Sequence, residues 1–195
     1  CFNEELITFK KNIKWQKIKV MKLKPKKFLL IILLYFFSFG YSGANENQFE
    51  FIKIVNEYKK KYSPSDNDLK VNKLLINRDN EICQKIPLEV NRWSGKIKSI
   101  STNMEGKGIL ELIIGKNIGI QTWNNAFSDI FDNTLIEVNS NVYDQLIEMK
   151  KNQMIYFSGN FLADSAGCFS TQNLTKKSQL AKPEFSFQFS DIKLK

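Results

Sequence analysis

A change in the spacing of apolar residues at Pro87 constrains the fold of this chain more than any other feature of its sequence. Before Pro87 the apolar residues recur at intervals of three and four, which is the spacing of one face of an α-helix. After Pro87 they alternate with polar residues, so every second side chain points to the same face, as in a β-strand. The sequence therefore predicts a helical segment over residues 45–86 and a β-rich domain over residues 87–195.

Two helices are predicted in the helical segment. The first extends from Gln48 to Tyr62, with an apolar stripe formed by Phe51, Ile52, Val55, Tyr58 and Tyr62. The second extends from Asp66 to about Asp79, because Ser65 and Asp68 are spaced as in a capping box. Its buried residues are expected to be Leu69, Leu74 and Leu75.

Five strands and one further helix are predicted after Pro87. The strands are Val90–Lys98, Ile109–Ile114, Ile118–Trp123, Met154–Leu162 and a run from Glu184 to Ser190. Trp93 and the alternating rings Phe185, Phe187 and Phe189 are expected in the core. The helix precedes the fourth strand, is capped by Ser140 or Asn141 and ends at Lys151. Residues 134–138 are predicted to add a short strand, and residues 163–183 to form a long loop.

This order of strands, with the helix after the third, resembles the OB-fold, a small five-stranded barrel. Gly95 and Gly159 lie within strands, where glycine permits the sharp coiling that closes such a barrel. The segments WSGKIKSI and IYFSGNF are similar to those of small exported bacterial OB-fold domains of unassigned function. The resemblance implies an α+β fold dominated by a five-stranded OB-like β-barrel and preceded by two short helices. Another small closed barrel or a sandwich is the alternative.

The first 44 residues have the pattern of an export signal. Met21 opens a lysine-rich stretch, an apolar run of 12 residues extends from Phe28 to Phe39, and Ser42-Gly43-Ala44 offers small residues for cleavage. Because about 20 apolar residues are needed to span a bilayer, we expect a cleaved signal peptide over residues 21–44 rather than a membrane anchor. Residues 1–20 are then expected to be an upstream or non-native extension, with a genuine basic N-terminal arm as the alternative. The mature chain is expected to be periplasmic or secreted, with membrane contact only through an uncleaved signal segment.

The net charge of +9 belongs mostly to these first residues. Nine lysines and two glutamates precede residue 45, which leaves 20 basic and 18 acidic residues in the rest of the chain. Binding to nucleic acid needs clustered positive charge, and this balance indicates none. The sequence therefore disfavours a nucleic-acid partner.

Cys83 and Cys168 are the two cysteines of the predicted mature chain. In an oxidising compartment two such cysteines are commonly joined, with a stabilisation of about 4–5 kcal/mol in the chain-entropy model. Buried free thiols are the alternative. We expect a disulfide.

The absence of histidine excludes imidazole catalysis and zinc sites that depend on histidine ligands. The chain also lacks phosphate-binding, dinucleotide-binding and nucleophile-elbow motifs. Asp129 and Asp132 have the spacing of an acid–base pair, but carboxylates in a polar loop are more often solvated or capping groups. We therefore expect no enzyme activity, no cofactor and no metal site.

A binding role is left, and the OB-fold resemblance implies where it lies. OB-folds hold ligands on the outer face of the barrel with aromatic platforms and basic residues. The residues of this chain that fit are Arg92, Lys96 and Lys98, with Trp123 and Tyr156 as stacking surfaces. Ordinary packing and solvated surface are the alternatives for each. We expect a non-catalytic binding module for an envelope protein, a glycan or a small ligand, with a single-stranded nucleic-acid-binding protein as the alternative.

Overall fold

The computed structural model of the protein describes residues 43–165 and 168–195. Helices α1 and α2 extend over Gly43–Lys61 and Asp68–Lys85, α3 over Asn141–Ile147 and α4 over Lys176–Ala181. The strands are β1 Glu89–Thr102, β2 Gly108–Ile114, β3 Ile118–Gln121, β4 Met154–Phe161 and β5 Glu184–Leu194. The predicted extension over residues 1–20 and the signal peptide up to position 42 lie outside the described residues.

The five strands form a closed barrel in the order β1-β2-β3-β5-β4. β3 and β5 are parallel, with Ile120 opposite Phe185, and the other neighbouring pairs are antiparallel. The chain passes through α3 between β3 and β4. The predicted α+β class, an OB-like barrel preceded by two helices, is confirmed. The short strand predicted at residues 134–138 is reduced to a single bridge between Ile136 and Gly108.

Two backbone irregularities coil the barrel where β1 meets β4. The register shifts between Val90 and Trp93, and Arg92 has a φ of 55°. This β-bulge lets Val90 and Trp93 both point inward although three positions separate them. In β4, Gly159 has a φ of 151°, and a side chain there would overlap the carbonyl oxygen of Gln188. Only glycine fits this position, as expected for a strand that bends sharply.

Aromatic rings fill the interior of the barrel. The rings of Phe157 and Phe161 lie 5.4 Å and 4.9 Å from that of Phe187, measured between centroids. Trp93 is 1% exposed, and the predicted core rings Phe185, Phe187 and Phe189 are all buried. The alternation of the last strand therefore identified the core correctly.

Helix α1 fills the end of the barrel beside the first half of β1. Phe51 is completely buried, with its ring 5.3 Å from Trp93 and 5.1 Å from Phe185. Gln48 fixes the helix, because its side-chain amide donates to the carbonyl oxygen of Ser94 at 2.6 Å and accepts from the Ser94 N–H at 2.9 Å. The side chain of Gln48 thus pairs with β1 as a neighbouring strand would.

Helix α3 packs at the other end of β1. Ser140 is its N-cap, as predicted, and Val142 and Leu146 are buried in the core. The helix ends at Ile147 rather than at the predicted Lys151, because residues 150–153 turn back to begin β4. Among the described residues, no helix is long and apolar enough to cross a membrane.

The prediction for α2 was wrong in its start and in part of its buried face. Asn67, not Ser65, caps the helix, and its Oδ1 accepts from the Lys70 N–H at 3.0 Å. Leu69 is 84% exposed, because it lies in the first turn on the side away from the barrel. The buried residues are Val71, Leu75, Arg78 and Ile82.

The connection between β4 and β5 was predicted as a loop, but it contains α4. Thr175 caps this short helix and exchanges hydrogen bonds with Ser178 in a capping box. Its one buried side chain, Leu180, gives no periodic signal in the sequence. The same connection is tied to α2 by a disulfide between Cys83 and Cys168, with Cα atoms 5.7 Å apart. The predicted disulfide is confirmed.

Candidate functional site

Three surface grooves meet at the turn between β2 and β3, and Asn117 lines all of them. The largest of the three has a volume of about 520 Å³ and lies between α1, β1 and the turn. We call the three grooves together the hairpin surface. Its apolar side chains are Phe49, Ile52, Ile113, Ile114, Met154 and Pro183, and its basic side chains are Lys59, Lys60, Lys96, Lys98, Lys116 and Lys182.

The β2–β3 turn owes its shape to two residues with positive φ. Gly115 has a φ of 51° and Asn117 a φ of 61°, a region that glycine and asparagine tolerate best. A side chain at position 115 would meet Ile52, so the glycine lets α1 come close to the turn. Lys59 Nζ also donates to the carbonyl oxygen of Lys116 at 3.4 Å. The end of α1 and the turn therefore form one continuous surface.

Lysine side chains dominate the electrostatics of the hairpin surface. The positive charge of Lys98 is balanced by Glu111, because Lys98 Nζ lies 2.8 Å from Glu111 Oε2. This hydrogen bond raises the pKa of Lys98. Glu184 is the one carboxylate among the residues that line the three grooves. Within the described residues no ion pair involves the other five lysines, Lys59, Lys60, Lys96, Lys116 and Lys182. The hairpin surface thus carries an excess of positive charge that the overall balance of the chain conceals.

The predicted site residues fall into three places. Lys96 and Lys98 lie on the hairpin surface. Arg92 and Tyr156 meet on the β1–β4 face, with the guanidinium carbon 4.8 Å from the centre of the ring. Lys195 Nζ lies 5.5 Å from the centre of the same ring. Two cations of the chain itself therefore engage the ring that the sequence suggested as a stacking surface.

Trp123 follows the end of β3 that is opposite to the β2–β3 turn. Its indole Nε1 donates to Asp132 Oδ2 at 2.7 Å, and its backbone N–H donates to Thr134 Oγ1 at 2.7 Å. The side chain is half-buried. The structure therefore separates Trp123 from the hairpin surface by the length of β3.

The loop that follows, residues 124–133, has an exposed apolar side that sequence reasoning missed. Asp129 is buried and accepts hydrogen bonds from Thr134 N and Oγ1 and from Leu135 N. Asp129 and Asp132 thus hold the loop together, as expected for capping carboxylates. Three large side chains of this loop are exposed, at a spacing of three and then one: Phe127, Ile130 and Phe131. That spacing is typical of one face of a helical turn, and it is the signal by which these residues could have been found in the sequence.

Among residues 43–165 and 168–195, no group of three or more cysteine, aspartate and glutamate side chains is placed to bind a metal ion. Comparisons of the chain with protein-family models, with curated proteins and with solved structures find no match. The function therefore has to follow from the geometry and chemistry of the chain itself.

Proposed function

We propose that the protein is an exported, non-catalytic binding module of the OB-fold superfamily that binds its ligand on the hairpin surface. The observation that carries the proposal is the meeting of three grooves at Asn117, beside five unpaired lysines. Ligand sites are usually concave and preformed, with a few polar groups beside apolar ones. Phe49 and Met154 supply the apolar part here, at 69% and 42% exposure.

The filling of the barrel supports a ligand on the outside. Phe51 enters one end of the barrel, and the buried side chains of α3 pack at the other. Between these helices the aromatic rings of β4 and β5 pack against one another. A close-packed interior of this kind offers no room for a ligand.

Membership of the OB-fold superfamily is supported by the strand order and by the position of α3 between β3 and β4. Export is supported by the disulfide between Cys83 and Cys168, because disulfides persist in oxidising compartments. The intact mass of the protein from its native cell tests export. We expect a chain that begins at Asn45 and accepts two alkyl groups only after reduction; a chain with free thiols that retains Met21 would overturn export.

A non-catalytic role is supported by the chemistry of the hairpin surface. Its charged groups are lysines and a single carboxylate, Glu184. General acid–base catalysis most often uses histidine, and the sequence contains none.

The hairpin surface is tested by filling its largest groove without altering its charge. We expect Met154→Trp to weaken binding about tenfold or more, because the indole occupies the space between α1 and the turn. The matched control is Ile147→Trp, since Ile147 is 65% exposed on α3 at the other end of β1. The probes are cellohexaose, hexagalacturonate and an acidic decapeptide, measured by isothermal titration calorimetry. Binding of none of the three, or equal weakening by both variants, would overturn the proposal.

A further inference from the structure

We propose that the ligand of the hairpin surface is a linear acidic polysaccharide, held through negative groups that repeat along its length. This inference rests on the proposed function and specifies the ligand class of the same site.

The charges select an anionic ligand. Five lysines of the hairpin surface have no ion-pair partner among the described residues, whereas Glu184 is the one carboxylate that lines its grooves. Lys60, Lys96, Lys116 and Lys182 are exposed, so their ammonium groups are available to a ligand. A cluster of positive charges attracts an anionic ligand and raises its rate of association.

The distribution of the lysines over three grooves favours a long ligand over a small anion. Lys96 lies in the groove beside β1, Lys59, Lys60 and Lys116 line the second groove, and Lys182 lines the third. No single groove gathers all five ammonium groups, so a single carboxylate or phosphate contacts only part of the cluster. A chain with regularly repeated charges contacts all three grooves at once, and linked contacts reinforce one another.

The kind of cation agrees with a ligand of this sort. The unpaired cations of the hairpin surface are lysines, which act as mobile point charges, whereas a planar arginine fork selects a fixed bidentate geometry. Phe49 lies in the same groove as Lys96 and is 69% exposed, which leaves its ring free to pack against the apolar face of a sugar.

The aromatic side chains disfavour single-stranded nucleic acid. Sequence-independent binding of single strands uses several aromatic platforms along a positively charged groove. Trp123 is hydrogen-bonded to Asp132 at the far end of β3, and the ring of Tyr156 is engaged by Arg92. Of the residues that line the three grooves, Phe49 in the largest groove is the one aromatic residue.

The first test varies only the charge of the ligand. Hexagalacturonate is compared with its carboxyl-reduced form by titration calorimetry on the whole protein in 50 mM and 200 mM salt. We expect binding of the acidic form alone, weakened about 20- to 50-fold by the added salt if three or four charges are neutralised. Equal binding of the neutral form would overturn the acidic ligand and leave the proposed function standing, whereas binding of neither form would overturn the acidic ligand as well.

The second test varies only the charge of the protein. Lys60→Gln/Lys116→Gln removes two exposed cations of the hairpin surface, and Lys150→Gln/Lys151→Gln removes two exposed cations next to β4. We expect the first variant to weaken hexagalacturonate about fivefold or more and the second to leave the affinity within about twofold. Equal losses of affinity in the two double variants would overturn the placement of the binding site on the hairpin surface. Tighter binding of a twelve-residue oligothymidylate than of hexagalacturonate would overturn the polysaccharide in favour of nucleic acid.

Discussion

Arg78 is a charged residue of α2 that is only 1% exposed. One guanidinium nitrogen lies 2.7 Å from Asp79 Oδ1, and another donates to the carbonyl oxygen of Gln179 at 2.6 Å. The guanidinium also lies 5.6 Å from the centre of the Phe185 ring. Arg78 thus joins α2 to α4 and to the barrel. Helical spacing could not predict this, because arginine is rarely buried without partners, and the partner Gln179 lies 101 positions away in the chain.

We predict that Arg78→Met lowers the free energy of unfolding by about 2–4 kcal/mol, less than for a fully buried ion pair because the Asp79 side chain is 29% exposed. The variant leaves the Asp79 carboxylate and the Gln179 carbonyl without their partner. Lys73→Met, on the exposed side of the same helix, is the control and is expected to change stability by less than about 0.5 kcal/mol. Urea unfolding followed by tryptophan fluorescence measures both, and equal effects would contradict the buried role of Arg78.

The pH dependence of the same variant gives a second prediction. Burial raises the pKa of Asp79, and the charge of Arg78 opposes that rise. Without Arg78 the pKa of Asp79 in the folded protein rises further above its value in the unfolded chain. Ionisation of Asp79 then costs folding free energy: there is no cost at a pH below the unfolded pKa, and the full cost is reached once the pH has risen through the folded pKa. The deficit of Arg78→Met is therefore expected to be smaller near about pH 4 than at pH 7. A deficit that does not change with pH would contradict this account.

Lys98 shows what strand alternation can and cannot predict about a site residue. Alternation places Lys96 and Lys98 on the outer face of β1, and both are exposed in the structure. The contact of Lys98 with Glu111 depends on the register between β1 and β2, which shifts after Ile97. The sequence carries no sign of that shift, so it could not show that Lys98 forms an ion pair and that Lys96 does not.

At the level of elements, the strands were easier to predict than the helices. All five strands were predicted, because β2 is apolar along most of its length and the others place apolar side chains at alternate positions on a buried face. α4 was missed because one buried residue in six makes no pattern. The start of α2 was misplaced because Ser65 and Asn67 are both good capping residues, and only the contacts of the folded chain decide between them.

The buried carboxylate of Asp129 in the loop over residues 124–133 is expected to contribute to the free energy of unfolding, whereas the exposed phenylalanine rings of the loop are not. We predict that Asp129→Ala lowers the free energy of unfolding by about 2–4 kcal/mol, because three hydrogen-bond donors lose their acceptor. Phe127→Ser/Phe131→Ser is the comparison and is expected to change stability by less than about 1 kcal/mol, since these side chains are 85% and 92% exposed. Thermal unfolding measures both variants. A larger loss for the double serine variant would show that the rings are packed.

For the whole molecule, the helical segment and the barrel share one hydrophobic core and one covalent link. The disulfide joins positions 85 residues apart, so it constrains much of the unfolded chain. We predict that Cys83→Ser/Cys168→Ser lowers the free energy of unfolding by about 2–5 kcal/mol. The reduced wild-type protein is expected to match the variant in urea unfolding. A loss of less than about 1 kcal/mol in both would contradict a stabilising role for the bond.

The hairpin surface exists only at the level of the whole molecule. Its unpaired lysines come from the end of α1, from β1, from the β2–β3 turn and from the residue before Pro183. The sequence predicted the barrel and two residues of this surface, Lys96 and Lys98. It could not predict the cluster, because a nearly neutral balance after residue 44 says nothing about how the folded chain groups its charges.

The most direct test of the hairpin surface is a map of amide chemical shifts on titration of the intact, disulfide-bonded protein with hexagalacturonate. We expect the largest changes on the turn from Gly115 to Asn117, on the last turn of α1 and on Lys96. Changes centred instead on Arg92 and Tyr156, or on the loop over residues 124–133, would contradict this expectation.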